Sequence, residues 1–530
     1  MTPEDTTLSA PSPPPAETGQ VLSLGPDAFL ACETVERAAA GRNLRLPLTE
    51  TARRRMHLSW DALRCLQAGG TPIYGTTTGF GPFVVYPGAG DREGVCQADS
   101  LLAHLGAGWN PPDRPDTPID IVRAAMIIRG QNLAQGHSAI HPRTLEAYLR
   151  WAEWDLTPCV PWTGSVGASG DLIPLAHIAR AVAGAEDALV RYRGRTLSAR
   201  EALRETELAP VRLTGREALA LTNGTSFLTA FAAIGVARSE RLLRRAEEIT
   251  GWLYRLLEAR ADALAAPLHI ARGQEGQILS ARHIRTEAGR YGAWENAERP
   301  LQEVYSLRCA PQILGACREN LTFARRLVET EINGVSDNPI FFGDADGSGA
   351  PQVFHGGNFH GQQVAFAADA LNAALTQAAV LAERQIDLLV TPSTVNGNAP
   401  LLLAWDPGST SGMAGAQITA TALVAEMRAA AQAHATMSLP TNGRNQDVVS
   451  MGALAAQRCY EQTDRLSAVL SILSLCAAQL TFLRSEDKAA GPPAPLPRWM
   501  TDFEGIRHDR PLQAAIARLA AFLRDNVPDD

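Results

Sequence analysis

Residues 451–485 read MGALAAQRCYEQTDRLSAVLSILSLCAAQLTFLRS, and the fold class follows from this stretch. Apolar side chains recur along it at three- and four-residue spacing, as one face of an α-helix requires. No proline interrupts the segment, and its one glycine stands near the start. The segment is longer than an ordinary globular helix, which indicates a bundle packed against itself or against other subunits.

The same periodicity extends over most of the chain. Only residues 189–197 predict a small β-hairpin, and strands and helices do not alternate as they do in α/β proteins. We therefore predict an all-α fold with a long central helical bundle. The further helices are predicted at 95–107, 119–134, 142–154, 215–264, 310–334, 360–390 and 411–436.

The chain is predicted to divide into three parts. Residues 1–22 are rich in proline, threonine, serine and acids, and they bury too little apolar surface to offset the entropy of ordering. They are expected to form a disordered tail. Residues 23–230 would form an N-terminal region with two glycine-rich loops, and residues 231–530 the long-helix region.

Composition argues against several classes of partner. The formal net charge is −8 and no basic face stands out, so no nucleic-acid partner is expected. No uncharged apolar run appears long enough to cross a bilayer, so no membrane partner is expected either. The eight cysteines form no Cys-x-x-Cys pair. This predicts neither a zinc ribbon nor a disulfide framework, and it fits a cytoplasmic location.

Residues 164–177, GSVGASGDLIPLAH, carry the most specific chemistry. In a strained loop the amide nitrogen of Gly170 can attack the carbonyl carbon of Ala168, since a residue without a side chain allows that approach. Loss of water closes a five-membered ring. Dehydration of Ser169 then gives 4-methylidene-imidazol-5-one, an electrophile that no ordinary side chain supplies. The simpler alternative is a flexible turn before a helix.

Seven motifs together resemble the histidine, phenylalanine and tyrosine ammonia-lyases and the related 2,3-aminomutases. The order of the motifs along the chain is also that of the family, and they cover residues 74 to 452. Beside the Ala-Ser-Gly segment they are Tyr74–Gly81 (YGTTTGFG), 217–225 (EALALTNGT), 302–312 (QEVYSLRCAPQ), 331–339 (EINGVSDNP), 356–360 (GGNFH) and 445–452 (NQDVVSMG).

The resemblance assigns roles to individual residues. Tyr74, in a glycine-rich loop suited to opening and closing, would be the base that removes a β-proton from the substrate. Arg308 would hold the substrate carboxylate with two parallel hydrogen bonds. Asn223 and Tyr305 would contact the electrophilic ring. The remaining substrate contacts implied are Asn333, Phe359, Glu426, Asn445 and Gln446.

His104 and Leu105 stand where the family distinguishes aromatic rings. Tyrosine-active members have His-Leu there, phenylalanine-active members generally Phe-Leu, and histidine lyases Ser-His. An imidazole can hydrogen-bond a phenol hydroxyl, so the pair favours L-tyrosine as substrate and trans-4-hydroxycinnamate as product. The alternative for His104 is a residue that lines the core without touching substrate.

Several alternatives stay open at this point. A tyrosine 2,3-aminomutase would use the same electrophile and base but return ammonia to the β-carbon, giving β-tyrosine. Phenylalanine or histidine lyase activity and a silent scaffold are the others. The resemblance implies a homotetramer, with sites that draw residues from several subunits. His355 and His360 are accompanied by no third ligand, so no metal is predicted.

Overall fold

The computed structural model describes residues 19–88, 96–168, 170–292, 299–343, 349–486 and 495–527. It is 60% helix and 6% strand, which confirms the predicted all-α class. The α-helices span Cys32–Ala40, Glu50–Ala68, Gln97–His104, Ile119–Ala134, Pro142–Glu153, Leu172–Val182, Ala199–Thr206, Gly215–Thr222, Ser226–Leu256, Ala266–Arg272, Glu275–Arg290, Tyr305–Arg308, Ala310–Asn333, Gln362–Val390, Ala414–Ala430, Gly452–Glu486 and Gln513–Asp525.

Most predicted helices end within a few residues of the observed ones. The long helix predicted at residues 451–485 is the helix Gly452–Glu486. The predicted helix 215–264 is wrong in two respects. It is two helices, Gly215–Thr222 and Ser226–Leu256, and the second ends at Leu256 instead of 264. The break falls at Asn223, whose backbone leaves the helical region at φ −96° and ψ 69°.

Strands form two small antiparallel sheets. Leu189–Tyr192 pairs with Arg195–Ser198, which confirms the predicted hairpin, and Thr157–Pro158 adds a third strand beside the first. Ile340–Phe342 pairs with Gln352–Phe354, a hairpin that the sequence did not predict. Both sheets are minor attachments to a helical fold.

The contacts divide the chain into two units, each built from three separated segments. The first contains residues 1–234, 326–366 and 434–457, and the second contains 235–325, 367–433 and 458–530. The predicted division near residue 230 stays a prediction about regions of sequence. Residues 1–18 of the predicted tail lie outside the described residues, and Val21 forms a parallel bridge with Arg45.

In the first unit, the helix Ile119–Ala134 lies at the centre of the core. Every residue from Ile121 to Ala134 is buried, as expected for a helix covered on all sides. Several of its polar side chains donate to backbone carbonyls of distant segments. Arg129, for example, donates to the carbonyl oxygens of Ala220 (2.9 Å) and Ser336 (2.6 Å). This helix therefore fixes the segments that follow residues 220 and 334.

In the second unit, an ion pair lies within the helical core. The Arg318 guanidinium donates to both oxygens of the Glu247 carboxylate, at 2.6 and 2.7 Å. His283 contacts the same carboxylate at 2.7 Å. Hydrogen bonds from Arg318 and His283 outweigh burial and lower the pKa of Glu247 to about 2. The pair joins the helices Ser226–Leu256 and Ala310–Asn333.

The expectation that no apolar run has membrane length is wrong for three segments. Among the described residues, the helices Gln362–Val390 and Gly452–Glu486 and the stretch Gly215–Leu256, which includes the break at Asn223, are each long and apolar enough to cross a bilayer. Their most apolar windows are 100%, 67% and 83% buried inside the protein, so these side chains serve core packing. The absence of a membrane partner stays a prediction.

The eight cysteines are all free thiols in the structure. Four of them, Cys32, Cys317, Cys459 and Cys476, are buried. The absence of a disulfide framework was predicted from their spacing, and the cytoplasmic location inferred with it stays a prediction.

Candidate active site

The loop before the helix Leu172–Val182 is held by backbone bonds from three separate segments of the first unit. The Asp171 amide donates to the Gly224 carbonyl (2.7 Å), and the Gly361 amide donates to the Gly167 carbonyl (3.1 Å). The Met451 amide donates to the Val166 carbonyl (2.9 Å). These bonds restrict the loop on both sides of Ser169, which itself lies outside the described residues.

Gly170 is packed so closely that no other residue fits. Its φ is +65°, and a Cβ atom there would lie 2.2 to 2.4 Å from the backbone of Gly224. Both features require glycine. Ala168 is buried, at 5% exposure. A restrained loop with glycine at this point fits the backbone cyclisation that the sequence suggested, so the residues present fit the 4-methylidene-imidazol-5-one group.

Asp171 stands directly before the helix Leu172–Val182, but its side chain does not cap that helix. Its carboxylate instead accepts hydrogen bonds from the Ser165 hydroxyl (2.6 Å) and the Leu228 amide (2.8 Å). Burial raises the pKa of Asp171 to about 7, although these two donors lower it. The side chain thereby ties the Ala-Ser-Gly loop to the helix Ser226–Leu256.

A cavity of about 950 Å³ opens beside this loop. It brings together nine residues predicted for the site, all of them in the first unit. Their chemistry is mixed: one phenol, one imidazole, three amides and several apolar groups. These nine lining residues are Tyr74, His104, Leu105, Ala168, Gly170, Asn223, Phe359, Asn445 and Gln446.

Tyr74 lies at the edge of the cavity, in the loop predicted to act as a lid. Its phenol oxygen accepts a hydrogen bond from the Gly81 amide at 2.7 Å, and its own amide donates to Nε2 of His355 at 3.2 Å. Burial raises the pKa of Tyr74, whereas the Gly81 amide and the Arg216 guanidinium lower it. Both of the latter favour the phenolate.

His104 ends the helix Gln97–His104 and presents its ring to the cavity. Its Nδ1 lies 3.0 Å from the Ser100 carbonyl oxygen. Because a carbonyl oxygen only accepts, Nδ1 carries the proton, and Nε2 of the neutral ring is left as an acceptor. Leu105, the other predicted ring-selecting residue, is buried beside it.

Asn223 is held in the cavity wall by the segment 337–338. Its amide donates to the Asn338 carbonyl oxygen at 2.9 Å and lies 3.4 Å from the Asp337 carboxylate. The residue is only 3% exposed, so its side chain has one orientation fixed by the fold. A fixed amide beside the Ala-Ser-Gly loop would be suited to contact a ring formed from those residues.

Comparisons with known proteins agree with this geometry. The sequence profile described as aromatic amino acid lyase matches residues 30–498. The chain belongs to the aromatic amino acid lyase family. Like the relatives it resembles, this lyase is a carbon–nitrogen lyase.

Similar proteins differ in the activity that their names state. The tyrosine ammonia-lyase of Cereibacter sphaeroides is 39% identical over 514 residues, covering 93% of this chain and 95% of that one. The histidine ammonia-lyase of Symbiobacterium thermophilum is 35% identical over 491 residues, covering 92% and 94%. The crystal structure of the tyrosine aminomutase of Streptomyces globisporus superimposes with a TM-score of 0.84 at 31% identity, covering 95% and 97%.

Asn333 does not line the cavity of this lyase, contrary to the role predicted for it. Its amide donates to the Leu30 carbonyl (3.0 Å), and its oxygen accepts from the Leu30 amide (2.9 Å) and from Gln131 (3.2 Å). Asn338, five residues further along the same motif, lines the cavity. In the single chain the motif therefore reaches the cavity through Asn338, and the substrate contact predicted for Asn333 stays a prediction.

Three further predicted residues belong to the second unit. Tyr305 is 68% exposed, and the Arg308 guanidinium lies 4.6 Å from the centre of the Tyr305 ring. The buried Nε of Arg308 makes no hydrogen bond within the described part of the chain. Glu426 is exposed on the helix Ala414–Ala430 and lies 3.3 Å from Arg465.

Several cavity residues escaped the sequence analysis. Gln97 and Ser100 precede His104 by two turns and one turn of the same helix, so helical spacing could have identified them. Thr441 and Asn442 come from a turn that begins just before the Asn-Gln motif. Among the residues that the structure describes, no three His, Cys, Asp or Glu side chains cluster as metal ligands.

Proposed function

We propose that this lyase converts L-tyrosine to trans-4-hydroxycinnamate and ammonia without oxidation, using 4-methylidene-imidazol-5-one formed from Ala168, Ser169 and Gly170. One observation carries the choice of substrate. His104 lines the same cavity as Tyr74 and the Ala-Ser-Gly loop, and its Nε2 is free to accept a hydrogen bond. The printed names of two relatives, both tyrosine ammonia-lyases, support the same choice.

The ring would supply an electrophilic methylidene carbon for the substrate. The chain's own residues hold that position in place. Gly170 allows the close backbone approach, the bonds of Gly167 and Asp171 restrain the loop, and Asn223 fixes an amide beside it. Phe359 lines the cavity, and before cyclisation its carbonyl accepts from the Gly170 amide, a hydrogen bond that ring formation at that nitrogen would remove.

Tyr74 acts as the base in this proposal. The β-proton of tyrosine is weakly acidic, so its removal needs a strong base such as a phenolate. The Gly81 amide already donates to the phenol oxygen, and a donor in that position stabilises the anion. After proton transfer, the neutral phenol returns its proton to solvent.

In this proposal, His104 distinguishes a substrate ring that carries a para-hydroxyl from one that does not. The para-hydroxyl of tyrosine would donate to Nε2, while Leu101 and Leu105 pack against the apolar part of the ring. His104 is exposed in the single chain, so the discrimination depends on closure of the assembled site. There, phenylalanine would leave Nε2 without a partner, at a cost of about 1–3 kcal/mol. The amides of Asn445 and Gln446 lie in the same wall and are proposed to contact the polar groups of the substrate.

The substrate carboxylate is assigned to Arg308 of another subunit in a homotetramer. Tyr305 is exposed in the single chain, and Arg308 lies against its ring with a buried Nε unpaired. A guanidinium in this state is suited to bind a carboxylate through two hydrogen bonds. Glu426 is also exposed, and we propose that it contacts the substrate amino group from another subunit.

A tyrosine 2,3-aminomutase is the second candidate. The TM-score of 0.84 to a tyrosine aminomutase is as favourable to it as the sequence identities are to the lyase. The two reactions share the base and the electrophile, and they differ in whether ammonia returns to the β-carbon before the product leaves. Phenylalanine and histidine are less favoured as substrates, because neither carries a ring hydroxyl that could donate to Nε2 of His104.

Two measurements test the proposal. Intact mass of the purified protein should fall about two waters below the encoded mass, since ring formation removes two. Steady-state kinetics with L-tyrosine, L-phenylalanine and L-histidine, followed by ammonium release, should give the highest kcat/KM for tyrosine. Full encoded mass and no ammonium from any of the three would refute the proposal.

A further inference from the structure

A buried charge cluster lies under the cavity floor. Arg129, Arg216 and Asp337 have side-chain exposures of 0%, 1% and 0%. Arg216 makes an ion pair with Asp337, and Arg129 lies 4.0 Å from the same carboxylate. Two guanidinium groups thus share one carboxylate, so these three groups sum to a formal charge of +1. Asp171, whose pKa burial raises to about 7, also acts on Arg129.

The excess charge is held by backbone carbonyls. Arg216 donates to the Ser138 carbonyl at 2.9 Å and to the Asn338 carbonyl at 3.3 Å, and Arg129 donates to carbonyls at 2.9 and 2.6 Å. A buried cation without a full counter-charge is costly, and carbonyl dipoles offset only part of that cost. An uncompensated cation is therefore an arrangement that favours a nearby anion.

Tyr74, the group that needs an anionic form in the proposed reaction, lies within electrostatic reach of Arg216. Arg216 precedes Leu219 by one turn of the helix Gly215–Thr222, and Leu219 lines the cavity with Tyr74. A Cβ atom on Gly75 would lie 2.7 Å from a Leu219 methyl, so the lid loop rests on this helix. On the other side, the Asn338 carbonyl that Arg216 binds belongs to another residue of the cavity wall.

The other charged groups around Tyr74 do not supply this effect. His355 accepts from the Tyr74 amide, and burial lowers its pKa, so the ring is neutral near pH 7. Glu217, the other charged residue on the helix, is bound by Thr214 and Thr144. Among the three residues of the cluster, Asp337 is the anion. Its ion pair with Arg216, together with Arg129 nearby, leaves these three residues with a net positive charge.

We propose that Arg216 is a positioning residue for catalysis, and that its cluster of net charge +1 stabilises the Tyr74 phenolate. This inference rests on the proposed function, in which Tyr74 is the base. The phenol loses its proton to solvent, the phenolate takes the β-proton of the substrate, and the phenol releases it again. Arg216 itself exchanges no proton.

Two substitutions that change the cluster charge in opposite directions test the proposal. Arg216→Met makes the cluster neutral, and Asp337→Asn makes it +2. The acidic limb of the pH profile of kcat/KM should move up for Arg216→Met and down for Asp337→Asn. Each shift should be about 1 pH unit, for a unit charge on the order of 10 Å away at an effective dielectric constant of about 20.

Controls separate charge from structure. Arg216→Lys keeps the charge, so its limb should stay near that of the wild type even if kcat falls. Arg200→Met removes a surface charge at 57% side-chain exposure and should leave the limb unmoved. If Arg216→Met does not fold, the comparison of Asp337→Asn with wild type still carries the test. A limb unmoved in Asp337→Asn, or moved upward, would overturn the inference.

A second readout does not depend on turnover. Ultraviolet pH titration of the wild type minus Tyr74→Phe isolates ionisation of the Tyr74 phenol. The same opposite shifts are expected in that difference titration for Asp337→Asn and Arg216→Met. Shifts without turnover of any aromatic amino acid would support the cluster's role and refute the proposed function, whereas turnover without shifts would refute the inference alone.

Discussion

Replacing His104 by phenylalanine should reverse the preference of the enzyme for tyrosine. Nδ1 of His104 lies 3.0 Å from the Ser100 carbonyl oxygen, so Nε2 is the ring nitrogen left to accept a hydrogen bond from a substrate in the cavity that His104 lines. His104→Phe removes that acceptor and leaves the phenol hydroxyl of tyrosine opposite an apolar ring.

The expected size follows from the one hydrogen bond that is lost. Leaving a polar group unpaired in a closed site costs about 1–3 kcal/mol, which corresponds to a fall of roughly 5- to 150-fold in kcat/KM for tyrosine. Phenylalanine loses nothing, and it gains an apolar neighbour instead of an unpaired imidazole. Its kcat/KM should therefore rise, and the ratio of the two constants should fall by at least about 10-fold.

The assay is ammonium release with both substrates, using Ser100→Ala as the matched control. Ser100→Ala removes a hydroxyl from the same cavity wall but keeps the carbonyl that holds Nδ1, so it should retain the preference for tyrosine. Retained preference for tyrosine in His104→Phe would refute the assignment of His104 as the ring-reading residue. Loss of preference in both variants would refute the assigned role of the Ser100 carbonyl.

The remaining predictions concern the cofactor, the base and the buried ion pair. Gly170→Ala places a methyl group 2.2 Å from the Gly224 carbonyl oxygen, so intact mass should show the encoded mass with no loss of water; a protein lighter by two waters would contradict the geometry. Tyr74→Phe should keep the mass loss while lowering kcat by at least about 100-fold, and unchanged kcat would exclude Tyr74 as the base. Arg318→Met should lower the free energy of unfolding by up to about 3–5 kcal/mol in denaturant titrations, because the buried Glu247 carboxylate loses its guanidinium partner and keeps only His283 and the Ser280 hydroxyl. Because the pKa of Glu247 is lowered to about 2, the stability that this pair gives the wild type is complete above pH about 4.5 and is lost as pH falls toward about 2. If the free energy of unfolding fell equally steeply with pH in the wild type and in Arg318→Met, this prediction would be contradicted.

Helical periodicity predicted the architecture well because it reports burial directly. The helices at 119–134, 310–334 and 451–485 were predicted to within two residues of their observed ends. The break at Asn223 could not be predicted in that way. It depends on Arg129, which binds the carbonyl of Ala220 from 91 residues away and lies against the position where Gly224 would carry a Cβ atom.

The site was predicted from motifs, and motifs locate chemistry more reliably than they locate individual side chains. The motif 331–339 does reach the cavity, but through Asn338, because Asn333 faces the segment around Leu30. Asp171 stands where a helix cap belongs, yet its carboxylate is taken by Ser165 and Leu228. In both cases a contact between distant residues decided the outcome, and no local pattern records such contacts.

Product analysis tests most directly whether this family member is a lyase that acts on tyrosine. Purified enzyme is incubated with L-tyrosine, and the products are separated by chromatography with mass detection from the earliest time points. We predict trans-4-hydroxycinnamate as the main product, with ammonium released in equal amount. Mainly β-tyrosine at early times would contradict the lyase assignment and identify an aminomutase, and the absence of both products would contradict the choice of tyrosine as substrate.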